Sequence, residues 1–119
     1  MNKTEQDILY LAGCAIHRVK PEVEGMNLEE IAKVASRHTI SSMICMALES
    51  AGVKVDTLID QKNKAIRKSM LMNNERQLIF SKLDEAGVWY LPLKGILLEK
   101  MYPVYGMRQM ADNDVLFDH

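Results

Sequence analysis

The chain has 119 residues, 48% of them hydrophobic and 26% charged, with a formal net charge of −1. That length suits one domain, or a small domain plus part of another, and the apolar fraction excludes wholesale disorder. The near-zero charge excludes a broad electrostatic attraction to nucleic acid or to an anionic membrane, which leaves only local basic patches for such a role.

No run approaches the roughly 18 apolar residues needed to span a bilayer. The amino terminus, Met1-Asn2-Lys3-Thr4, lacks a basic segment followed by an apolar one. A cytoplasmic protein without a membrane partner is expected. Cys14 and Cys45 sit among Ala, Ile and Met and read as buried thiols in a reducing compartment. Cys14-x-x-His17 has no second ligand pair nearby, which argues against zinc.

Taken in chain order, the first three-quarters reads as helix. Thr4 with Asp7 is a weak capping box, and Ile8, Leu11, Ala12, Ala15 and Ile16 then recur at helical spacing. Pro21 and Gly25 mark a connection. Asn27 with Glu30 starts a second helix that ends near Arg37 and His38. Thr39-Ile40-Ser41-Ser42 is a break or a new cap. Met43 to Leu48 is apolar on nearly every side, which predicts a short helix at the centre of the core, ending at Gly52.

Asp56 is expected to cap a long helix from about 57 to 86, with Gly87 just past its end. Leu58, Ala65, Met72, Ile79 and Ala86 repeat every seven residues and form a packing seam, interrupted by Arg76. Asn73 and Arg76 either face solvent or satisfy backbone groups, or else they face a cleft. Lys62, Lys64, Arg67 and Lys68 form a basic cluster. Without interleaved aromatic residues it reads as a solvated face, with Asp60 pairing Lys64, and nucleic acid is not the expected partner. His17 and His38 fall at helix C-termini, where an imidazolium favours the dipole. His119 is terminal.

At Gly87 the pattern changes. Val88 to Leu93 is β-branched and aromatic and reads as a strand with Pro92 at its end. Ile96 to Met101 reads as a short helix, Val104 to Ala111 as a loop, and Asp112 to Phe117 as a second strand. Asp112-x-Asp114 at a strand start puts two carboxylates on one face, roughly 6.5–7 Å apart. They repel unless a cation lies between them, and hard divalent ions take such oxygen ligands together with substrate phosphates. Lys94-Gly95 lies between a strand and a helix, where free N–H groups suit phosphate. Arg108 can fork onto phosphate oxygens. No Walker loop, dinucleotide fingerprint or nucleophile elbow occurs.

Leu91-Pro92-Leu93-Lys94-Gly95, then Leu98, Tyr102-Pro103, Arg108 and Asp112-x-Asp114, resembles the uncharacterised bacterial nucleotidyltransferase family. That family looks like a branch of the DNA polymerase β-type nucleotidyltransferase superfamily. Toxin-type nucleotidyltransferases of bacterial abortive-infection systems have a similar Lys-Gly, Arg, Asp-x-Asp arrangement. The motifs cover about residues 88–118, and Ser36-Arg37-His38 before an apolar helix is similar to the family's N-terminal region. Ile96 stands where the superfamily has glycine or serine, and Asn113 where it has an apolar residue.

The resemblance implies that Asp112 and Asp114 are catalytic and bind Mg²⁺, or Mn²⁺ in its place. That metal would hold a nucleoside triphosphate. Lys94 and Gly95 would lie by its phosphates, with Arg108 supporting the phosphates or the metal. A hydroxyl of an unknown acceptor would attack the α-phosphorus and release pyrophosphate. The expected fold is α+β: a helical region over 1–86, then the first strand-helix-strand of an incomplete nucleotidyltransferase-type sheet over 87–119. The superfamily's third carboxylate, on a later strand, does not occur in these residues. The chain is therefore expected to be the N-terminal part of a longer enzyme and inactive alone, its open strand edge covered by a second copy or by the helical region. The alternative is a non-catalytic helical interaction module with a remnant acidic motif.

Overall fold

A computed structural model describes residues 1–93, 98–110 and 115–117. Among the described residues the order is α1 (Lys3–His17), α2 (Leu28–Arg37), α3 (Ser41–Ser50), α4 (Asp56–Glu85), β1 (Tyr90–Pro92) and β2 (Val115–Phe117). This is the expected α+β arrangement, mainly helical with a small two-stranded sheet. The molecule measures 57 × 25 × 23 Å. At 1.5 Å per residue α4 alone is about 45 Å long, and it accounts for most of the long dimension.

α1 begins two residues earlier than the Thr4 reading. Asn2 Oδ1 accepts from Glu5 N–H at 2.8 Å, and Glu5 Oε2 accepts from Asn2 N–H at 3.3 Å. Glutamate is long enough to reach back to the cap, whereas Asp7 instead pairs with Lys3 at 2.8 Å. α2 starts as expected, with Asn27 Oδ1 accepting from Glu30 N–H at 3.2 Å. At α4 the cap position is Val55, in an extended conformation, and Asp56 is the first helical residue. Its carboxylate favours the helix dipole there without capping a backbone group.

The end of α4 follows the Gly87 reading. Gly87 has φ +69°. Its N–H donates to Asp84 O at 3.1 Å, and Val88 N–H donates to Leu83 O at 2.9 Å. These two bonds satisfy the last carbonyls of the helix and turn the chain into β1.

α3 is the hub of the core and packs against α1, α2 and α4. Ile44, Cys45, Ala47 and Leu48 are buried in one cluster with Leu11, Ile31, Ala35 and Leu58. Cys14 and Cys45 are buried free thiols, as expected. The α4 seam is buried at Leu58, Ala65, Ser69, Met72 and Arg76 and then leaves the core, since Ile79 is exposed. Past Arg76 the contact passes to Phe80, whose ring stacks on Tyr90 at a centroid distance of 4.6 Å. That stack seats β1 on the end of α4.

The strands pair antiparallel, with Tyr90 opposite Phe117 and Pro92 opposite Val115. β1 is shorter than the sequence reading of 88–93. Of the expected short helix, Leu98 and Glu99 are helical, and residues 96 and 97 lie outside the described residues, as do 112–114 of the second strand. No described helix is long and apolar enough to cross a membrane.

Candidate functional site

The segment from Tyr102 to Met110 has little regular structure, yet it is firmly held. Met107 N–H donates to Val104 O at 3.1 Å, closing a turn with Gly106 at φ +80°. A β-carbon at Gly106 would lie 2.5 Å from Ile66 Cγ1 and 3.4 Å from Ile66 Cα, so the turn lies flat on α4. Met107 and Met110 are buried.

α3 supplies the polar anchors of this segment. Ser42 Oγ donates to Gly106 O at 2.5 Å in a buried bond. Ser42 N–H donates to Gln109 Oε1 at 3.3 Å. Ile40, the cap residue of α3, offers no side-chain acceptor, so Gln109 satisfies one of the orphan amides at that helix start. Ser41 and Ser42, polar residues in an apolar helix, are the sequence signal for this contact. The partners of Ser42 lie more than sixty residues away and cannot be read from local spacing, and Ser41 Oγ makes no hydrogen bond among the described residues.

Arg108 is half-buried, and its guanidinium lies 3.0 Å from Met110 Sδ. Among the expected site residues it is the one that falls in described structure. Lys94, Gly95, Asp112 and Asp114 lie outside the described residues. Their flanks are nonetheless informative. In the antiparallel ladder Pro92 is opposite Val115, so the chain leaves β1 and enters β2 at the same end of the sheet. The segment carrying Lys94-Gly95 departs from that end, and the segment carrying Asp112-x-Asp114 arrives at it, having been anchored as far as Met110.

Arg76, the interruption in the α4 seam, faces the stretch that follows Lys94-Gly95. Its Nη1 is 3.8 Å from Glu99 Oε2, and both side chains are about nine-tenths buried. Its Nη2 donates to Asn73 Oδ1 at 2.7 Å. A charge in a seam needs a partner, and Glu99 is that partner. Arg76 Nη1 and Glu99 Oε1 make no hydrogen bond among the described residues. Tyr105 lies close to the pair. Burial and the Glu99 carboxylate raise its phenol above the usual range, while Arg76 opposes this.

With that geometry in view, the comparisons are specific. The model of a family described as uncharacterised nucleotidyltransferase matches residues 24–119. The chain belongs to the uncharacterised nucleotidyltransferase family. The match runs from the α1–α2 connection through β2 and includes all five expected site residues. No match is found among curated proteins or among solved structures.

Two other features of this nucleotidyltransferase-family chain bear on chemistry. Among the described residues no group of three or more His, Cys, Asp or Glu is placed to hold a metal ion. The other concentration of polar groups is structural. Lys62 Nζ donates to Glu49 Oε1 at 2.6 Å, and Cys45 Sγ donates to the same oxygen at 3.2 Å. Burial and the bond to Glu49 push the Cys45 thiol up to about 12, far from a nucleophile's range. The bond from Lys62 holds the Glu49 carboxyl below the ordinary carboxylate range, against the opposing effect of burial. This trio ties α3 to α4.

Proposed function

We propose that the chain carries the nucleotide- and metal-binding front of an enzyme that moves a nucleoside monophosphate from a nucleoside triphosphate to an acceptor hydroxyl. Family membership over residues 24–119 carries this reading. The strand register supports it, because the segments bearing Lys94-Gly95 and Asp112-x-Asp114 meet β1 and β2 at one end of the ladder.

Asp112 and Asp114 are the residues that would hold a divalent cation. Two carboxylates two residues apart are a hard oxygen donor set, which suits Mg²⁺ and admits Mn²⁺. When bound, such a cation neutralises charge on phosphate oxygens. Gly95 lets the backbone approach the phosphates closely, and Lys94 adds a positive charge beside them. Arg108 offers a planar fork of donors to the phosphates or to the carboxylates. The acceptor oxygen bonds to the α-phosphorus as the bond to pyrophosphate breaks, and the chain contributes position and electrostatic stabilisation. A cytoplasmic setting fits two free buried thiols.

Equilibrium binding of an α-labelled nucleoside triphosphate, with and without Mn²⁺, tests the reading. The wild-type chain should bind in a metal-dependent way, and Asp112→Asn and Asp114→Asn should each abolish that dependence. Metal-dependent binding that persists in the double variant overturns the assignment. The alternative of a helical interaction module draws on Met70, Leu71 and Leu78, which are exposed on α4. Partner capture that survives the double Asp substitution but fails in Leu71→Glu/Leu78→Glu would favour that module.

A further inference from the structure

The basic cluster on α4 is not uniform. Lys62 is committed to Glu49. Among the described residues Lys64 and Lys68, one turn apart, have no ion pair or hydrogen bond, and the Asp60–Lys64 pair expected from spacing does not form. Like charges at this spacing repel on a helix surface. Both lysines line a cavity of about 250 Å³ whose floor includes the buried Ala65 and Met110 and whose wall includes Thr39 and Gln109. No acidic side chain among the described residues lines it.

Two wall residues are held in place by neighbouring helix ends. Gln109 Oε1 is engaged by Ser42 N–H, which leaves the amide NH₂ as the donor end of that side chain. Thr39 has φ +56°, a left-handed conformation that a β-branched residue rarely adopts, and its Oγ1 donates to His38 O at 2.7 Å. The conformation closes α2, with Thr39 N–H donating to Ser36 O at 3.2 Å and Ile40 N–H to Ala35 O at 3.0 Å, and it fixes Thr39 in the wall. The cavity is also smaller than the roughly 300–1,000 Å³ of pockets that enclose drug-sized ligands. Two lysines and a glutamine with its amide donor uncommitted line so small a space, a set that suits one compact, multiply charged oxyanion.

We propose that Lys64, Lys68 and Gln109 form a subsite for a phosphate group. Met110, in its floor, precedes Asp112 by two residues, a chain distance of at most about 7 Å between α-carbons. The subsite therefore borders the motif assigned above to metal and nucleotide. The phosphate belongs either to the polyphosphate tail of the nucleotide donor or to a phosphorylated acceptor. That division of roles rests on the nucleotidyltransferase reading; the anion subsite itself does not.

Calorimetric titration of the full chain in EDTA, with inorganic tripolyphosphate and with ribose 5-phosphate, tests the subsite without any metal. At least one probe should bind, with affinity that falls as salt rises. Lys64→Gln/Lys68→Gln should weaken it about tenfold or more. Both lysines are exposed, so the variant should keep the wild-type circular dichroism and melting temperature. Lys33→Gln, a charge change elsewhere on the surface, should leave affinity unchanged. Tighter binding of tripolyphosphate points to the donor tail, and tighter binding of ribose 5-phosphate to the acceptor. Either result supports the subsite. Absence of binding by both probes, or equal affinity in wild type and double variant, overturns it. If the lysine dependence holds while the Asp112 and Asp114 variants still bind nucleotide with metal, the subsite stands and the nucleotidyltransferase site assignment fails.

Discussion

Replacing Gly106 with alanine should be among the most damaging small changes in this chain. The residue has φ +80°, and its added β-carbon would meet Ile66 Cγ1 at 2.5 Å with Ile66 Cα only 3.4 Å away. The left-handed conformation costs an L-residue roughly 1–2 kcal/mol. Overpacking against a branched side chain close to its own backbone adds about 1–3 kcal/mol. The sum, about 2–5 kcal/mol, is a large share of the roughly 5–15 kcal/mol that stabilises a typical domain. Urea denaturation followed by far-UV circular dichroism measures the loss. Ile66→Ala removes the obstructing atom, so it should be much less harmful in the Gly106→Ala background than in wild type, with a coupling of about 0.5–3 kcal/mol. A loss below about 0.5 kcal/mol, the range of ordinary surface changes, would refute the claim that this turn lies against α4. Strict additivity with Ile66→Ala would refute the steric part of the argument.

Further outcomes follow from the same contacts. Ser42→Ala leaves the Gly106 carbonyl buried without its donor and should cost about 1–3 kcal/mol in the same denaturation assay. Arg76→Met strands the buried Glu99 carboxylate and should cost about 3–5 kcal/mol, whereas Arg76→Met/Glu99→Leu should be near neutral; equal costs would show that the two groups are not coupled. Stability against pH should carry two signatures of the α3–α4 trio. The lowered Glu49 value contributes stability present above the unfolded carboxylate range and lost as pH falls through the folded value, so Glu49→Gln should flatten the acid limb. The raised Cys45 value contributes stability fully present below about pH 8.5 and lost as pH climbs toward about 12, so Cys45→Ala should flatten the alkaline limb. The two-stranded ladder exposes Leu91 and Leu116 side by side, and sedimentation at rising concentration should show self-association. A strict monomer throughout would exclude a second copy as the cover of that face.

Much of the helical frame was legible because its signals are local. Asn27-x-x-Glu30 and Gly87 act within a few residues of chain, and the structure uses both in the manner their chemistry dictates. The seam of α4 was legible as far as Arg76, because burial follows the seven-residue repeat only while α4 faces the bundle. Where the helix runs past the bundle, Ile79 turns to solvent and Phe80 takes over the contact with β1. Thr4 and Asp56 misled for a shared reason. Each belongs to a residue type that caps helices, but the competing partner decides: Glu5 reaches back to Asn2, and Val55 sits where the cap would be.

For the candidate site, the family was legible in the motif residues, and the family match covers the stretch that carries them. The contacts that hold the chain up to Met110 were not. Ser42, Gly106 and Gln109 meet across more than sixty residues, and no periodicity encodes that contact. The same holds for Arg76, which looked like a flaw in the seam and proves to have its partner, Glu99, on the stretch after Lys94-Gly95. The pairing of Lys62, which sets it apart from Lys64 and Lys68 among the described residues, likewise depends on where Glu49 lies.

The central claim is that Asp112 and Asp114 hold a divalent cation at the end of the β1–β2 ladder. Paramagnetic Mn²⁺ titrated into isotope-labelled protein reads this directly, because it broadens amide resonances near the ion. The account predicts that broadening centres on residues 110–116 and reaches Arg108 and Leu93, and that it vanishes in Asp112→Asn/Asp114→Asn. Broadening centred on another acidic cluster, or an unchanged pattern in the double variant, would contradict it.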